Sequence, residues 1–144
     1  MLVYLDNCCF NRPFDDQSSL RIALESQAKL YIQAMIVRGD IQLATSYMSI
    51  YENGQNPFED RRNATTNFVN TYSAIHISAE MASTIQRKAE SIMRTGVKTK
   101  DAYHLACAFE AECTHFISTD DRLLKYKTPK LLLMNPVDFI RFEV

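Results

Sequence analysis

Short apolar runs alternate along this chain with longer segments of helical periodicity. Residues 2–5 are apolar and are followed at once by Asp6, a pattern typical of a buried strand. Residues 18–38 carry apolar side chains at helical spacing, and Gly39 then ends the segment as a helix C-cap. Residues 102–109 are almost all apolar, which predicts a central, buried helix.

The same alternation continues to the end of the chain, after a polar stretch over residues 7–17 that we expect to be a loop. The further predicted strands are 41–44, 75–77, 115–118 and 131–134. The further predicted helices are a short one opened by Thr45 and Ser46, then 57–72, 78–94, 120–125 and 137–142; the buried segment 102–109 is the middle of a helix over 100–112 that Thr99 caps. Strands that alternate with helices imply a parallel sheet covered by helices on both faces. The sequence therefore predicts an α/β fold, a three-layer α/β/α sandwich with a short, mainly parallel sheet.

Composition agrees with one globular domain that spans residues 1–144. Apolar residues make up 47% of the 144 positions and charged residues 23%, both near the globular average. Sixteen basic residues face 17 acidic ones, which gives a formal charge of −1. Because the chain has no overall basic field, any binding of nucleic acid must depend on a local site.

Two further features bear on where the protein works. No apolar run approaches the roughly 20 residues that a membrane span needs, and the N-terminus reaches Asp6 without the basic stretch of a signal peptide. The cysteines form neither a C-x-x-C pair nor a zinc-finger spacing; they are Cys8, Cys9, Cys107 and Cys113. We therefore expect a reduced, cytoplasmic protein that does not enter a membrane.

Acidic residues recur where a parallel sheet would bring them to one edge. Asp6 follows the first strand, Glu52 lies in the short helix after the second, Asp101 opens the buried helix, and Asp120 follows the fourth strand with Asp121 beside it. Gathered carboxylates repel one another, and a divalent cation is the simplest compensation. Oxygen ligands favour Mg²⁺ or Mn²⁺, which activate water for phosphodiester hydrolysis. From spacing alone, however, each acid can also be an ordinary turn residue or helix cap.

Five local motifs resemble the PIN-domain nuclease family. Residues 5–9 (LDNCC) resemble its opening strand, 100–108 (KDAYHLACA) its D-A-x-H-x-A-x-A helix, and 116–124 (FISTDDRLL) its strand followed by T-x-D. Residues 135–140 (NPVDFI) resemble the usual end of the family, and 11–17 (NRPFDDQ) are similar to one of its subgroups. No single motif is specific, but their order and spacing cover essentially the whole chain.

The resemblance implies a metal-dependent endoribonuclease, most often the toxin of a bacterial toxin–antitoxin pair. It implies that Asp6, Glu52, Asp101 and Asp120 are the catalytic acids and hold Mg²⁺ or Mn²⁺, with Asp121 as the alternative to Asp120. Glu59 and Asp60 compete for the place of Glu52 but lie on a more polar segment. The implied partners are an RNA substrate, an antitoxin that blocks the site, and a second copy of the chain.

Other polar residues near these acids have both a functional and a structural interpretation. Ser118 stands where the family usually has Thr and keeps the hydroxyl that can hold a ligand or phosphate oxygen. Asn7 can contact metal-bound water or RNA, or simply form the turn. His104 lies on an apolar helix, and we interpret it as a hydrogen-bonded structural histidine. Four basic residues flank the acidic motifs and can meet RNA phosphates or be solvated charge: Arg12, Lys98, Lys100 and Arg122.

Two other functions remain open from the sequence. A catalytically degenerate domain of the same fold would only bind RNA or a protein. A phosphatase of the haloacid-dehalogenase type also begins with an Asp after the first strand, but that chemistry needs a second Asp two residues later, where this chain has Cys8.

Overall fold

Five strands form a single parallel sheet in the computed structural model, which describes all 144 residues. The strands are β1 (Leu2–Leu5), β2 (Gln42–Ser46), β3 (Ser73–Ile77), β4 (His115–Ile117) and β5 (Leu132–Met134). Their order across the sheet is β3-β2-β1-β4-β5, and every neighbouring pair is parallel. In the central strand, Tyr4 pairs with Ala44 on one side and with Phe116 on the other.

Helices cover both faces of this sheet. They are α1 (Asn7–Asn11), α2 (Leu20–Arg38), α3 (Tyr47–Gly54), α4 (Glu59–Tyr72), α5 (Ala82–Met93), α6 (Thr99–Glu110) and α7 (Pro136–Glu143). Short 3₁₀ turns occur at Arg12–Phe14, Ala79–Met81 and Leu123–Lys125. The predicted three-layer α/β/α sandwich is therefore confirmed. No helix combines the length and the apolar content that crossing a membrane requires.

Alternation of side chains along β1 divides the core into two layers. Val3 and Leu5 face one layer, with α2 and α7, whereas Tyr4 faces the other, with α5 and α6. Phe116 of β4 stacks on the Tyr4 ring, with 5.2 Å between the ring centroids. The central strand is therefore buried on both sides, as its unbroken apolar run predicts.

The prediction of a loop over residues 7–17 is wrong for much of that segment. It contains α1 and the first 3₁₀ turn, and Cys9 and Phe10 of α1 are buried in the core. The Asp6 side chain accepts a hydrogen bond from the Asn7 amide and thereby caps α1. The burial of Cys9 and Phe10 and the cap from Asp6 stabilise a helix here, although the polar composition of the segment predicts a loop.

Two further predicted elements differ in detail. Thr99 is the first residue of α6 and not its cap. The N-cap position is occupied by Lys98, whose side chain makes no capping hydrogen bond. The predicted helix over 120–125 is reduced to the 3₁₀ turn Leu123–Lys125. The Asp120 side chain precedes that turn and accepts hydrogen bonds from the backbone amides of Arg122 and Leu123.

Sheet topology sets the position of the functional crevice. The chain runs outward from β1 to β2 and β3, and then crosses back to place β4 on the other side of β1. Ligands of open α/β sheets bind outside the carboxyl ends of the strands, where the strand order reverses. Asp6 follows β1 and Ser118 follows β4 at this position.

A buried carboxylate, Glu25 of α2, joins three parts of the chain on the opposite side of the sheet from α6. Its oxygens accept from Arg12 Nε at 3.0 Å, from Arg21 Nε at 3.3 Å, and from the side-chain amide of Asn135. Asn135 is in turn the N-cap of α7. Glu25 therefore links the segment after α1 to the start of the last helix.

Replacing Glu25 with Ala should lower the free energy of unfolding by about 3 kcal/mol, because buried polar partners lose their acceptor. Urea unfolding followed by circular dichroism measures this loss. Asp40→Ala is the matched control, since Asp40 forms an exposed ion pair with Arg38 that contributes less than about 1 kcal/mol. Equal effects of the two substitutions would contradict the structural role of Glu25.

Candidate metal centre

Two hydrogen bonds hold the Asp6 side chain in place within a cluster of carboxylates at the carboxyl ends of β1 and β4. Its side chain is only 7% exposed. One carboxylate oxygen accepts from the Asn7 amide at 2.8 Å, and the other accepts from the Ser118 hydroxyl at 2.8 Å. Because Ser118 follows β4, this second bond holds the Asp6 carboxylate across the point where the strand order reverses.

Glu52 and His104 meet Asp6 from two helices. Glu52 comes from α3 and His104 from α6, and one potential ligand atom of each of the three residues lies within 4.8 Å of the other two. Ligands on opposite sides of one Mg²⁺ are about 4.2 Å apart. The three side chains are therefore spaced nearly as in a single coordination sphere.

Asp101 and Asp120 flank this group of three. Asp101 lies in the first turn of α6 and is half-buried. Burial raises the pKa of Asp101, and the negative charges of Asp6 and Asp120 raise it further. Asp120 is exposed, and its backbone amide donates to the Ser118 hydroxyl at 3.1 Å. The four predicted acids thus influence one another electrostatically, although only two of them belong to the tight group.

Glu52 and Asp6 respond to this environment in opposite ways. Burial is the main cause that raises the pKa of Asp6, and the Ser118 hydrogen bond and His104 only partly oppose it. Burial also acts to raise the pKa of Glu52, but His104 and Lys100 together outweigh it and lower the value. Glu52 therefore remains a carboxylate more readily than Asp6.

Charge compensation within the cluster is incomplete. Lys100 Nζ lies 3.0 Å from Glu52 Oε2, and no other lysine or arginine forms an ion pair with any of the four acids. Four carboxylates against one ammonium leave three negative charges that no cationic side chain neutralises by contact. A divalent cation would remove most of this excess.

His104 differs from the structural histidine that the sequence suggests. Its Nδ1 is hydrogen-bonded to the Tyr4 hydroxyl at 2.7 Å, as expected for such a residue. Its Nε2, however, is buried without a hydrogen-bond partner and lies 3.6 Å from Glu52 Oε2. The signal in the sequence is the spacing of three residues from Asp101, which places both side chains on one side of α6.

Asp121 is engaged elsewhere. It is 67% exposed, and Arg21 binds both of its oxygens, at 2.7 and 2.8 Å. This ion pair lowers the pKa of Asp121. Asp120 contributes to the electrostatic environment of Asp101, whereas Asp121 faces α2.

The remaining predicted residues divide between the site and the scaffold. Arg12 is bound to Glu25 and to Asp15, and it therefore supports α2 and not the acidic cluster. The backbone amide of Asn7 donates to the Asp6 carboxylate. Asn7 also lines an apolar cavity of about 230 Å³ between the sheet and helices α3 and α4. Glu59 and Asp60 are exposed in the first turn of α4, where they suit the helix dipole.

A basic cleft adjoins the acidic cluster at Asp101. The cleft has a volume of about 340 Å³ and lies between the loop before α6 and the segment that follows Asp121. Its exposed basic side chains are Lys98, Arg122, Lys125 and Lys127. Lys98 and Arg122 flank the acidic motifs in the sequence, whereas Lys125 and Lys127 belong to no motif and are brought here by the fold.

Comparison with known proteins finds a similarity of fold and none of sequence family. No family model matches the sequence, and no curated protein matches it. The fold is similar to that of VapBC2 from Rickettsia felis bound to a DNA fragment from its promoter, with a TM-score of 0.56 and 11% identity over 94% of this chain and 98% of that chain.

Two further solved structures share the fold. FitAcB from Neisseria gonorrhoeae is 15% identical, with a TM-score of 0.54 over 93% of this chain and 97% of that one. FitAB bound to an IR36 DNA fragment is also 15% identical, with a TM-score of 0.59 over 94% and 95%. The similarity therefore extends over nearly the full length of each chain.

The electrostatic cost of the cluster predicts an unusual pH dependence. The pKa of Asp101 is raised in the folded protein, so the folded state binds more protons than the unfolded state between the ordinary and the raised pKa. Without divalent cations, this residue therefore makes stability fall as the pH rises through that window. We expect Asp101→Asn to raise the melting temperature at neutral pH in a chelator, and to have less effect at acidic pH.

The matched control is Asp121→Asn. The pKa of Asp121 is lowered by Arg21, so its loss should decrease stability at neutral pH, the opposite sign. Thermal unfolding across a pH series measures both variants. A lower melting temperature for Asp101→Asn at neutral pH would show that the cluster carries no electrostatic strain.

Proposed function

We propose that this protein is a metal-dependent endoribonuclease that hydrolyses phosphodiester bonds of RNA, and that it acts as the toxin of a toxin–antitoxin pair. The observation that carries the proposal is the buried group formed by Asp6, Glu52 and His104, in which negative charge is incompletely neutralised. Its position at the strand-order reversal is where an α/β sheet binds its ligand. The fold similarity to VapBC2 and FitAB supports the same proposal.

The donor atoms suit Mg²⁺ or Mn²⁺. Asp6 and Glu52 offer oxygens close enough for one ion, and the unpartnered Nε2 of His104 faces the same space. Asp101 and Asp120 would complete the set from the side, directly or through water, as Mg²⁺ sites commonly retain several waters. A bound cation of this class activates water as a nucleophile and offsets charge on the phosphate.

The surrounding side chains would keep these ligands in place. Ser118 holds one oxygen of Asp6 and also accepts from the Asp120 amide, so one hydroxyl orients both ends of the site. The Asn7 amide holds the other Asp6 oxygen. Lys100 keeps Glu52 ionised and stands at the entrance, where it can also contact a phosphate.

RNA is the proposed substrate because of the basic cleft beside Asp101. The chain as a whole is almost neutral, so attraction to a polyanion must be local. Lys98, Arg122, Lys125 and Lys127 provide that local charge. A strand whose backbone follows these side chains would present a phosphodiester to the carboxylates at the end of the cleft.

An antitoxin and a second copy of the chain are the proposed partners. Ile50 and Tyr51 on α3 are 54% and 63% exposed, immediately before Glu52. A protein segment that covered this apolar surface would also reach the carboxylate cluster and block it. The similar solved structures VapBC2 and FitAB are bound to DNA fragments. The resemblance to the PIN family implies a cytoplasmic protein that pairs with an antitoxin and with a second copy of itself.

Asp6→Asn should abolish Mn²⁺-dependent cleavage of RNA. Loss of a ligand should cost more than the roughly hundredfold that is typical when a residue that only orients a ligand, as Ser118 orients Asp6, is removed. Cleavage of a labelled RNA measures activity, and circular dichroism checks that the fold survives. Full activity of a folded Asp6→Asn protein would exclude the proposed metal role.

The neighbouring pair Asp120 and Asp121 provides an internal control for that experiment. Asp120→Asn should reduce cleavage strongly, whereas Asp121→Asn should leave most activity intact, since Arg21 already binds Asp121. If wild-type protein binds Mn²⁺ but cuts no RNA under any condition, the degenerate binding domain becomes the better explanation.

Substitutions in the basic cleft should weaken RNA binding in a salt-dependent way. Lys125→Glu and Lys127→Glu should each lower affinity and reduce the slope of log affinity against log salt by about 0.7 for single-stranded RNA. Fluorescence anisotropy at several salt concentrations measures this slope. Arg141→Glu on α7 is the control, because α7 lies on the other face of the sheet from the α5–α6 layer. An unchanged slope in both lysine variants would remove the cleft from the RNA path.

A further inference from the structure

The Tyr4 hydroxyl is the centre of a buried hydrogen-bonded group directly behind the carboxylate cluster. It lies 2.7 Å from Ser46 Oγ, 2.8 Å from Ser49 Oγ and 2.7 Å from His104 Nδ1. Tyr4 and Ser46 are fully buried, and His104 is 1% exposed. These groups have no access to bulk water, so the protein itself must satisfy each of their donors and acceptors.

The hydrogen bonds of this group determine which ring nitrogen of His104 carries a proton, and therefore whether Nε2 can act as a ligand. The Tyr4 hydroxyl has one proton and three polar neighbours. If it donates to a serine, Nδ1 of His104 must carry a proton and donate to Tyr4, so that Nε2 has a free lone pair when the ring is neutral, the form in which histidine binds a metal. If it donates to Nδ1 instead, Nε2 carries the proton and needs an acceptor.

The surroundings of Nε2 favour the first arrangement. Nε2 has no hydrogen-bond partner, and its distance of 3.6 Å to Glu52 Oε2 is longer than a hydrogen bond. The same distance falls within the roughly 3.0–4.2 Å that separate two ligands of one cation with bonds of about 2.1 Å. The nearest oxygen of Glu52 is already bound by Lys100.

We propose that His104 Nε2 is a nitrogen ligand of this cation site, that Tyr4 is the positioning residue that fixes the required tautomer, and that the site consequently prefers Mn²⁺ to Mg²⁺. The inference rests on the proposed metal-dependent function. It goes beyond that function because carboxylates alone would not discriminate strongly between the two ions.

The chemistry of the donor atoms explains the preference. Mg²⁺ binds oxygen and gives up its waters reluctantly, whereas imidazole suits transition-metal ions and gains affinity along the first-row series. A histidine that binds a metal through one ring nitrogen usually donates from the other nitrogen to a fixed acceptor. Tyr4 is such an acceptor, since its ring is held against Phe116 in the core.

The decisive measurement uses the unaltered full-length chain. Bound Mn²⁺ should show nitrogen coupling in pulsed electron paramagnetic resonance, and incorporation of ¹⁵N-histidine should change that coupling. Mn²⁺ that binds without nitrogen coupling would overturn the inference while leaving an oxygen-only metal site and the proposed function intact. Absence of binding by both Mn²⁺ and Mg²⁺ would instead refute the proposed function itself.

Variants then assign the nitrogen to His104. His104→Gln should eliminate the coupling and weaken Mn²⁺ binding in calorimetric titration by more than the roughly 10- to 100-fold that loss of a residue orienting a ligand costs, with Mg²⁺ affinity changed much less. His115→Gln is a closely matched control, because His115 is buried, has Nδ1 bound to Thr114, and has an unpartnered Nε2 3.5 Å from Glu143. His115 lacks the second carboxylate, so its loss should change neither the coupling nor the affinity.

Tyr4→Phe separates positioning from structural support. The variant keeps the ring that packs on Phe116 and removes only the hydroxyl. A positioning role predicts that the ratio of Mn²⁺ to Mg²⁺ affinity falls about tenfold or more. A lower melting temperature with an unchanged ratio would show that Tyr4 only supports the core, and would overturn its part of the inference.

Discussion

Repulsion between carboxylates at the end of the central strand is the constraint on which the rest of this structure depends. Asp6 is buried at the point where β1 meets β4, and hydrogen bonds from Asn7 and Ser118 prevent its carboxylate from turning away. Glu52 and Asp101 approach the same point from different helices, and Lys100 neutralises only one charge. Such an arrangement costs stability in the absence of a cation, and that cost is the physical basis of the cation binding that we propose.

The fold tolerates the repulsion between these carboxylates because the contacts that stabilise it lie away from the cluster. The two apolar layers fill both faces of the sheet away from its carboxyl edge, and the buried Glu25 group ties α2 to α7 on the side opposite α6. Tyr4 joins both roles in one residue: its ring stacks in the core, and its hydroxyl binds His104 behind the site. Core packing and the orientation of the His104 ring are therefore coupled through the central strand.

Opposite charges are segregated along one edge of a nearly neutral molecule. Acids gather at the ends of β1 and β4, and basic side chains line the adjoining cleft from Lys98 to Lys127. Net charge conceals this arrangement, because attraction and repulsion act over roughly 10 Å at moderate salt. A polyanion that approached this edge would experience the local field of the cleft and not the average over the surface.

Local pattern in the sequence determined the strands, most of the helices, the layer order and the positions of Asp6, Glu52, Asp101 and Asp120 near one sheet edge, because periodicity and strand ends act over a few residues. Tertiary structure alone decided the contacts over long separations. It paired Asp121 with Arg21, a hundred residues away, and so separated it from its neighbour. It also brought the unpartnered nitrogen of His104 to Glu52, and folded part of the polar segment after Asp6 into a buried helix. These outcomes depend on which side chains meet in space. Spacing within one helix can place His104 beside Asp101, but it cannot show which distant residue either of them meets.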